Sequence, residues 1–401
     1  MTLTLLLDLD DTLLRNPLDK FFPAYMAALS SHLSPYVDPK KMVPQLIHAT
    51  NQMIEKDDPC DTLETVFDDD FYFPLGLQKE QLAKPIYDFY EHDFNDLRKV
   101  TSLMPGAKKL MDYAFRKGWR VVIATNPVFP RIAVLKRLEW AGLPAEQYPY
   151  ELITSYEYMH FTKPHPAFYA EILGQLGWQE DPVCMVGNNL ADDLLPAGEL
   201  GIPGFWVDGD NPSALNKLPP LSASGPLEEI FPWLDKIADQ PSPVEITDLD
   251  GILAVLNSTP AALEALTNTC SKEDLRRRPI RGEWSLLEII CHLRDVEREV
   301  NLSRFQMLSN TLNPFIPGVD SDRWAIERKY NEQDDSAVYT DFCTNRAKVL
   351  EIVRRYSAED WQQSVRHSIF GPTTRLELVK FIATHDRTHL LQIAQTIQAM
   401  Q

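Results

Sequence analysis

The sequence lacks any apolar segment long enough to cross a lipid bilayer, which takes about 20 predominantly apolar residues. Its N-terminus lacks the basic region of a secretory signal, and its first apolar run stops at Asp8. Cysteine is scarce, with five residues in the chain. Their spacing is not typical of a disulfide framework or a zinc ribbon. We therefore expect a cytoplasmic protein with no membrane partner.

Basic residues are also in short supply. Lys and Arg number 39 against 58 Asp and Glu, which gives a net charge of −19. Residues 250–401 hold 19 basic and 21 acidic residues, so −17 of that charge falls on residues 1–249. Nucleic acids and anionic membranes need basic patches on their partners. The composition therefore argues against both as partners.

The length of the chain indicates two domains. A chain of 401 residues is too long for one typical single-core domain, and a stretch containing Pro and Ser at 238–244 marks a plausible boundary. We predict a first domain over residues 1–237, a linker over 238–248 and a second domain over 249–401.

Carboxylates follow the first apolar run of the chain. Residues 3–7 predict a strand buried on both faces, and Asp8-Leu9-Asp10-Asp11-Thr12 comes directly behind it. Ligands of an open α/β sheet bind at the carboxyl ends of its strands. Asp8 and Asp10 point the same way along a strand, so one can attack phosphorus while the other handles the proton of the leaving group. The alternative is a strand end followed by a solvated acidic turn.

Three later segments suit the same chemistry. The β-rich run 120–124 ends at Thr125, whose hydroxyl can bond a phosphoryl oxygen. Lys163 lies in a loop beyond a further short apolar run, where its ammonium can offset the charge of a carboxylate and a phosphate. The run 183–186 ends in the acidic loop 187–193, whose oxygen atoms can bind magnesium. A lone lysine in a loop is ordinarily just solvated.

These four segments, in this order, resemble the motifs of the haloacid dehalogenase (HAD) superfamily: DLDDT, ATN, the Lys163 loop and GNNLADD. The resemblance covers residues 1–237. It implies an α/β Rossmann-like, doubly wound parallel sheet and a phosphatase in which Asp8 forms an aspartyl-phosphate and Asp10 is the general acid and base. Thr125 and Lys163 would hold the phosphoryl group. Asp10 favours hydrolysis of phosphate esters over dehalogenation, so the expected partner is a small phosphorylated metabolite.

The fourth motif departs from the family pattern, since Asn188 stands where the family usually has a magnesium-binding aspartate. An amide oxygen can bind magnesium but brings no negative charge, so we expect weaker metal binding unless Asp192 or Asp193 compensates. The magnesium ligands that the resemblance implies are Asp8, Asp10 through its backbone carbonyl, Asn188, and Asp192 or Asp193. The alternative is a non-catalytic domain that binds a phosphorylated ligand.

An insert from about residue 16 to 98 separates the first two motifs, with helical-looking segments at 21–33, 43–55 and 79–94. In the HAD superfamily such an insert is a helical cap that closes over the site, excludes water and contacts the substrate. Phe21, Phe22 and Tyr25 are candidate contacts, with core packing as the alternative.

The second half of the chain has helical periodicity. It predicts main helices at 249–269, 285–309, 336–356 and 374–400, enough for an all-α four-helix bundle. Two capping boxes mark helix starts, Ser285 with Glu288 and Thr374 with Glu377. The connection 310–335 shows no obvious regular structure, and its length makes it a candidate for lining a site.

Three histidines of this half can converge. His385 and His389 are four residues apart on the last helix, and antiparallel packing can bring His292 of the second helix opposite them. Three neutral imidazoles leave coordination positions open, as in catalytic zinc, nickel or related divalent-metal sites. The alternatives are one hydrogen-bonded core histidine and two surface histidines.

Three segments around these histidines, GEWS (282–285), CHL (291–293) and HDRTHLLQI (385–393), resemble the DinB superfamily over residues 249–399. The resemblance implies a four-helix bundle with a histidine triad for a divalent metal. Some members of that family are thiol-dependent transferases, which makes a low-molecular-weight thiol a candidate partner. Glu288 and Asp386 are candidates for orienting the ligands. A structural or oligomerisation role of the bundle is the alternative to catalysis.

Overall fold

The computed structural model describes residues 2–240, 246–309, 311, 313–321 and 323–400. The chain forms two compact units, the first comprising Met1–Asp57, Asp61–Phe168 and Glu180–Ile246, and the second comprising Asp58–Cys60, Tyr169–Gln179 and Thr247–Gln401. The chain passes from the first unit to the main segment of the second unit after Ile246, inside the predicted linker. Residues 241–245 of that linker lie outside the described residues. The domain limits themselves stay a prediction.

From the N-terminus to Ala238 the chain alternates strands and helices. In order they are β1 (Thr4–Leu7), β2 (Leu14–Arg15), α1 (Leu18–Leu33), α2 (Pro39–Glu55), α3 (Leu63–Phe71), α4 (Lys79–Glu91), β3 (Ser102–Leu103), α5 (Ala107–Arg116), β4 (Arg120–Ile123), α6 (Arg131–Trp140), β5 (Leu152–Ile153), α7 (Pro166–Gln175), β6 (Val183–Gly187), α8 (Leu195–Glu199), β7 (Gly204–Val207), β8 (Ala223–Gly225) and α9 (Phe231–Ala238). A π-helical turn spans Leu190–Leu194, directly before α8.

Six of these strands form one parallel sheet in the order β5-β4-β1-β6-β7-β8. The chain leaves β1 for β4 and β5 on one side and then returns to β6 on the other, so the winding reverses beside β1. All four residues of β1 are buried, as a parallel central strand requires. The predicted doubly wound parallel sheet is confirmed.

Helices α1 to α4 form the predicted cap insert. Asp38 caps α2 by accepting from the backbone N–H of Lys40, and Thr62 caps α3 by accepting from Thr65. An aromatic cluster fills the centre of the cap, where the Tyr25 ring lies 6.1 Å from Phe89 between centroids.

The second half of the chain is mainly helical. Its elements are α10 (Leu249–Thr267), α11 (Lys272–Arg276), α12 (Leu286–Asp295), α13 (Leu302–Leu308), β9 (Phe315–Ile316), α14 (Trp324–Glu327), α15 (Asp335–Val353), α16 (Ala358–Trp361), β10 (Ser364–His367), β11 (Gly371–Thr374) and α17 (Arg375–Gln398). A π-helical turn over Val296–Asn301 joins α12 to α13. Helices α10, α12 with α13, α15 and α17 are the four predicted main helices, and both capping boxes are present at the starts of α12 and α17.

Two expectations about this half need correction. The connection 310–335 was expected to lack regular structure, but it contains β9, α14 and a 3-10 turn over Tyr330–Glu332. The bundle was expected to be all-α, but β9, β10 and β11 form a small sheet in which β9 pairs in parallel with β10. This pairing joins segments about 50 residues apart, and local periodicity carries no signal for such contacts. No helix of the described residues is long and apolar enough to cross a membrane.

Candidate active site and metal centre

The register of the parallel sheet brings the predicted strand ends to one level. Leu7, the last residue of β1, lies opposite Ile123 of β4 and Val186 of β6. Asp8, Thr125 and Asn188 follow these residues by one or two positions, so they emerge at the same edge. The sheet therefore gathers three of the four predicted motifs at the carboxyl ends of its central strands.

Asp8 is buried at this edge and bonded through both carboxylate oxygens. Lys163 donates from Nζ to Oδ1 at 2.8 Å, and Thr12 donates from its hydroxyl to Oδ2 at 2.9 Å. Burial raises the pKa of the Asp8 carboxyl above the ordinary aspartate value, and the Lys163 ammonium opposes that shift. The carboxylate is thus held in one orientation at the end of β1.

Lys163 bridges two carboxylates. Its Nζ lies 2.6 Å from Oδ1 of Asp193 as well as 2.8 Å from Asp8, and its side chain is almost fully buried. Burial acts against the ammonium charge, but Asp193 and Asp8 together raise the pKa of Lys163 above the ordinary lysine value. The backbone N–H of Lys163 also donates to Oδ1 of Asn126, which ties its loop to the end of β4.

Thr125 lies buried at the end of β4, where the sequence placed it. Its backbone carbonyl accepts a hydrogen bond of 2.6 Å from the hydroxyl of Thr154, beyond the end of β5. That bond joins two neighbouring strand ends, so the turn that presents Thr125 is held by the sheet next to it.

Asp10 has partners that the sequence analysis missed. Asn16 donates from Nδ2 to Oδ1 of Asp10 at 2.8 Å, and the guanidinium of Arg137 donates to Oδ2. Arg137 is only 1% exposed and comes from α6, which follows the second motif. The sequence around Arg137 gives no local sign that this helical arginine contacts Asp10. Only the tertiary packing identifies the contact.

The fourth motif forms a tight polar loop. Oδ1 of Asn188 lies 3.3 Å from the Thr12 hydroxyl that also donates to Asp8, so an amide oxygen and a carboxylate oxygen flank one hydroxyl. Asn189 donates its backbone N–H to Asp193 and its side-chain amide to Asp192. A Cβ on Gly187 would come within 2.3 Å of the Asp193 carboxylate, so only glycine admits this approach.

The oxygen atoms at this edge suit magnesium by their chemistry. They comprise carboxylates, the Asn188 amide and backbone carbonyls, which are the hard ligands that Mg²⁺ prefers. Within the described part of the chain, however, the acids here do not form a cluster of three carboxylates close enough to share an ion. Proteins commonly bind Mg²⁺ through one or two carboxylates, and water and substrate phosphate complete its coordination.

The second unit brings the three predicted histidines together. His385 and His389 lie one turn apart on α17, and His292 reaches them from α12. Nε2 of His385 lies 3.2 Å from Nε2 of His292 and 3.2 Å from Nε2 of His389. Ligand nitrogens about 2.0–2.1 Å from a zinc ion are about 2.9–3.4 Å apart for octahedral to tetrahedral angles. The observed separations fit one divalent ion held by three imidazoles.

The surroundings of His292 and His389 favour the neutral form of their imidazoles. Burial and the neighbouring imidazoles lower the pKa of His292 to about 3 and that of His389 to about 4. The Trp284 ring lies 4.9 Å from the His292 ring and stacks on His389 at 6.3 Å between centroids. The side-chain amide oxygen Oε1 of Gln392 lies 3.0 Å from Nδ1 of His389. This contact suits an Nδ1–H donor and leaves the Nε2 lone pair of His389 for a metal.

A buried ionic network supports the triad from behind. Arg346 of α15 contacts Glu297 at 2.7 Å and Asp386 at 2.6 Å, and Asp386 also accepts from the hydroxyl of Thr259 in α10. The network thereby reaches all four main helices and fixes Asp386 next to His385. Glu288 serves a different purpose, because its carboxylate accepts from the backbone of Ser285 in the capping box and from Arg278.

The fold and the two sites define a class of protein. It has an α/β domain with charged side chains at the carboxyl ends of its strands, followed in the chain by a helical bundle with a histidine triad. The model of the haloacid dehalogenase-like hydrolases matches residues 2–201, and that of the DinB superfamily matches residues 256–393. Residues 2–201 thus form a haloacid dehalogenase-like hydrolase domain, and residues 256–393 form a domain of the DinB superfamily.

Solved structures resemble each half. YfiT from Bacillus subtilis, described as a probable metal-dependent hydrolase with an unusual four-helix bundle topology, is 18% identical over 39% of this chain and 92% of its own, with a TM-score of 0.36. A HAD phosphatase from Thermococcus onnurineus is 17% identical over 59% of this chain and 100% of its own, with a TM-score of 0.37. A hydrolase from Pseudomonas syringae is 16% identical over 60% of this chain and 100% of its own, with a TM-score of 0.35. No curated protein matches the chain.

Proposed function

We propose that the N-terminal domain is a magnesium-dependent phosphatase that hydrolyses phosphate monoesters through an aspartyl-phosphate on Asp8. The observation that carries this proposal is the position of the Asp8 carboxylate. It is buried at the carboxyl end of the central strand, with one oxygen bonded by the Lys163 ammonium at 2.8 Å. A fixed carboxylate beside a fixed cation is what attack on a phosphate anion requires.

The reaction has two steps. An oxygen of Asp8 attacks phosphorus, and the bond from phosphorus to the ester oxygen breaks while Asp10 gives its proton to the departing alcohol. Asp10 then takes a proton from water as that water attacks the aspartyl-phosphate, which releases inorganic phosphate and restores Asp8. Thr125 would donate its hydroxyl to a phosphoryl oxygen, and Lys163 would balance negative charge on the phosphoryl group.

Magnesium would be held by Asp8, the backbone carbonyl of Asp10, Asn188 and one of Asp192 and Asp193. When bound, it would reduce the repulsion between the anionic substrate and the carboxylates. Lys163 already neutralises part of the charge of Asp8 and Asp193, which fits a site that has an amide at position 188 in place of a third acid.

The test is hydrolysis of a panel of phosphate monoesters with and without Mg²⁺, by the intact protein and by its Asp8→Asn variant. We expect turnover that requires both Mg²⁺ and Asp8. Trapping the phosphorylated protein after acid quench, on the wild type alone, would identify the intermediate. Absence of turnover over a broad panel, together with tight binding of phosphate, would favour the alternative of a non-catalytic domain that binds a phosphorylated ligand.

The geometry of the second unit favours a second candidate function. We propose that His292, His385 and His389 hold one divalent metal such as zinc or nickel, because Nε2 of His385 lies 3.2 Å from Nε2 of each of the other two and the ligand atoms of all three lie within 4.8 Å of one another. A metal with open positions would lower the pKa of a bound thiol or water, which fits a thiol-dependent transferase reaction with a low-molecular-weight thiol.

Metal analysis of the purified protein tests this candidate. About one equivalent of metal is expected in the wild type and far less in the His385→Ala variant. A variant that stays folded without metal would argue against a purely structural role of the ion, whereas wild-type protein that binds no divalent metal would contradict the proposal.

A further inference from the structure

A cavity of about 790 Å³ lies inside the first unit, between the four cap helices and the loop that follows β4. Its walls come from α1, α2, α3 and α4, together with Val128, Phe129 and Pro130 of the loop and Tyr156. Pockets that take up most of a small molecule measure about 300–1,000 Å³. The cavity, called the cap cavity below, is therefore large enough for a whole substrate tail.

The lining of the cap cavity is mainly apolar. Asp19 is its one charged residue among the described residues, Thr50 and Asn51 are polar, and the rest is aliphatic, aromatic, Met or Pro. Two of its tyrosines, Tyr25 and Tyr90, bond each other through their hydroxyls at 2.9 Å. None of the described lining residues is Lys, Arg or His, so these residues offer no cationic partner for a second phosphate or a carboxylate.

Several lining residues are large apolar side chains that face solvent. Leu18 is 71% exposed, and Phe22, Ile47 and Ile54 are each 42% exposed. Single exposed apolar residues need no explanation, but a group of them around one cavity typically marks a binding surface for an apolar partner. They belong to α1 and α2, so these two helices present apolar side chains both to the cavity and to solvent.

Phe129 connects the cap cavity to the phosphatase site. Its ring lies 4.7 Å from the guanidinium carbon of Arg137, which donates to Asp10, and 5.3 Å from the Tyr25 ring in the cap. Val128 follows Thr125 by three residues in the same loop. One end of the cavity therefore lies next to the side chains that hold the general acid, where the ester oxygen of a substrate must be placed.

We propose that the cap cavity binds the hydrocarbon part of the substrate, so that the N-terminal domain acts on monophosphate esters of hydrophobic alcohols. The inference rests on the proposed phosphatase function and names its substrate class. The single phosphate lies at Asp8, and the tail lies among apolar side chains. A substrate with a second anionic group is disfavoured, because that group would lose hydration without gaining a counter-charge from the described lining residues.

The test uses the full-length protein and a series of linear alkyl phosphates from ethyl to decyl, with kcat/KM measured in Mg²⁺. Each methylene that leaves water should raise kcat/KM by up to about fourfold, and the series should span roughly 100-fold or more. A flat or falling series, with the short esters turned over, would overturn the inference and leave the phosphatase proposal intact.

A pair of matched variants locates the effect. Phe22→Glu places a charge in the wall of the cavity at a partly exposed position, and it should abolish the rise of kcat/KM with chain length. Phe73→Glu makes the same change at a cap residue that is 84% exposed and lies outside the lining. In this variant kcat/KM should still rise with chain length. Equal behaviour of the two variants would contradict the assignment of the cavity.

A binding measurement separates this inference from the phosphatase proposal. Decylphosphonate and ethylphosphonate, which lack the scissile ester bond, are compared by calorimetry with the wild type and both variants. Tighter binding of the decyl compound that is lost in Phe22→Glu supports the cap cavity even if no ester is hydrolysed, in which case only the phosphatase proposal fails. Equal affinity for both phosphonates overturns the inference.

Discussion

The guanidinium of Arg137 donates a hydrogen bond to Oδ2 of Asp10, although the two residues are 127 positions apart in the sequence. Asn16 donates to the other oxygen, so the carboxylate of the proposed general acid is held from both sides. Arg137 is almost fully buried and its guanidinium lies over the Phe129 ring. Arg137 is therefore a positioning residue for Asp10, and it links the second motif's helix to the first motif.

Replacing Arg137 tests this role. Arg137→Met removes a charge-assisted hydrogen bond worth about 1.5–3 kcal/mol, so kcat should fall about 10- to 100-fold while KM for a short phosphate ester changes little. Arg137→Lys should recover part of kcat. The pH profile of kcat should also shift, which a merely structural residue would not cause. Arg131→Met on the same helix is the control, and an equal loss there would refute the specific role.

Lys163 is expected to stabilise the fold as well as the site. Lys163→Met leaves Asp8 and Asp193 buried side by side without a counter-charge, and the free energy of unfolding should drop by about 3–5 kcal/mol. Urea denaturation of the intact chain measures the drop. The double variant Lys163→Met, Asp193→Asn should regain part of it. Lys84→Met, which breaks an exposed pair with Asp88, should leave the urea midpoint unchanged.

Asn188 should limit magnesium affinity. Asn188→Asp adds a negative charge beside the Thr12 hydroxyl, which can donate to a carboxylate as well as to the present amide. We expect the magnesium concentration for half-maximal activity to fall about tenfold, because ligand charge sets the affinity of oxygen sites for hard cations. Titration of activity with Mg²⁺ measures this change. An unchanged half-saturation point would remove position 188 from the proposed metal ligands.

Gln392 should tune the metal affinity of the histidine triad. Its amide oxygen lies 3.0 Å from Nδ1 of His389, so Gln392→Ala removes the group that orients this imidazole. Loss of such a partner typically weakens metal binding about 10- to 100-fold. Competition with a chromophoric zinc chelator gives the affinity. Gln395→Ala, at an exposed position three residues further along α17, should bind zinc as the wild type does.

Much of the framework could be predicted from local sequence. The runs predicted at 3–7, 120–124 and 183–186 coincide within one residue at each end with strands β1, β4 and β6, because a continuous apolar run suits a strand covered on both faces. The two capping boxes also lie where predicted, since a box depends on two residues three positions apart.

The site could be predicted only in part. Asp8, Thr125 and Asn188 follow strands, so the register of a parallel sheet brings them together once those strands are identified. Arg137 could not be found in the same way, because it belongs to a helix whose contacts are set by tertiary packing. The small sheet of β9, β10 and β11 was missed for a related reason, since its pairing joins segments distant in sequence.

The sequence by itself determined the positions of β1, β4 and β6, the four main helices of the second half, the residues that follow those three strands and the pair of histidines on one face of α17. These depend on spacing within one element, which short-range backbone geometry converts directly into structure. Only the tertiary structure decided that Lys163 joins Asp8 to Asp193, that His292 meets the other two imidazoles, and that the cap encloses an apolar cavity. Such contacts arise from long-range packing, in which burial and paired charges together select one arrangement of distant segments.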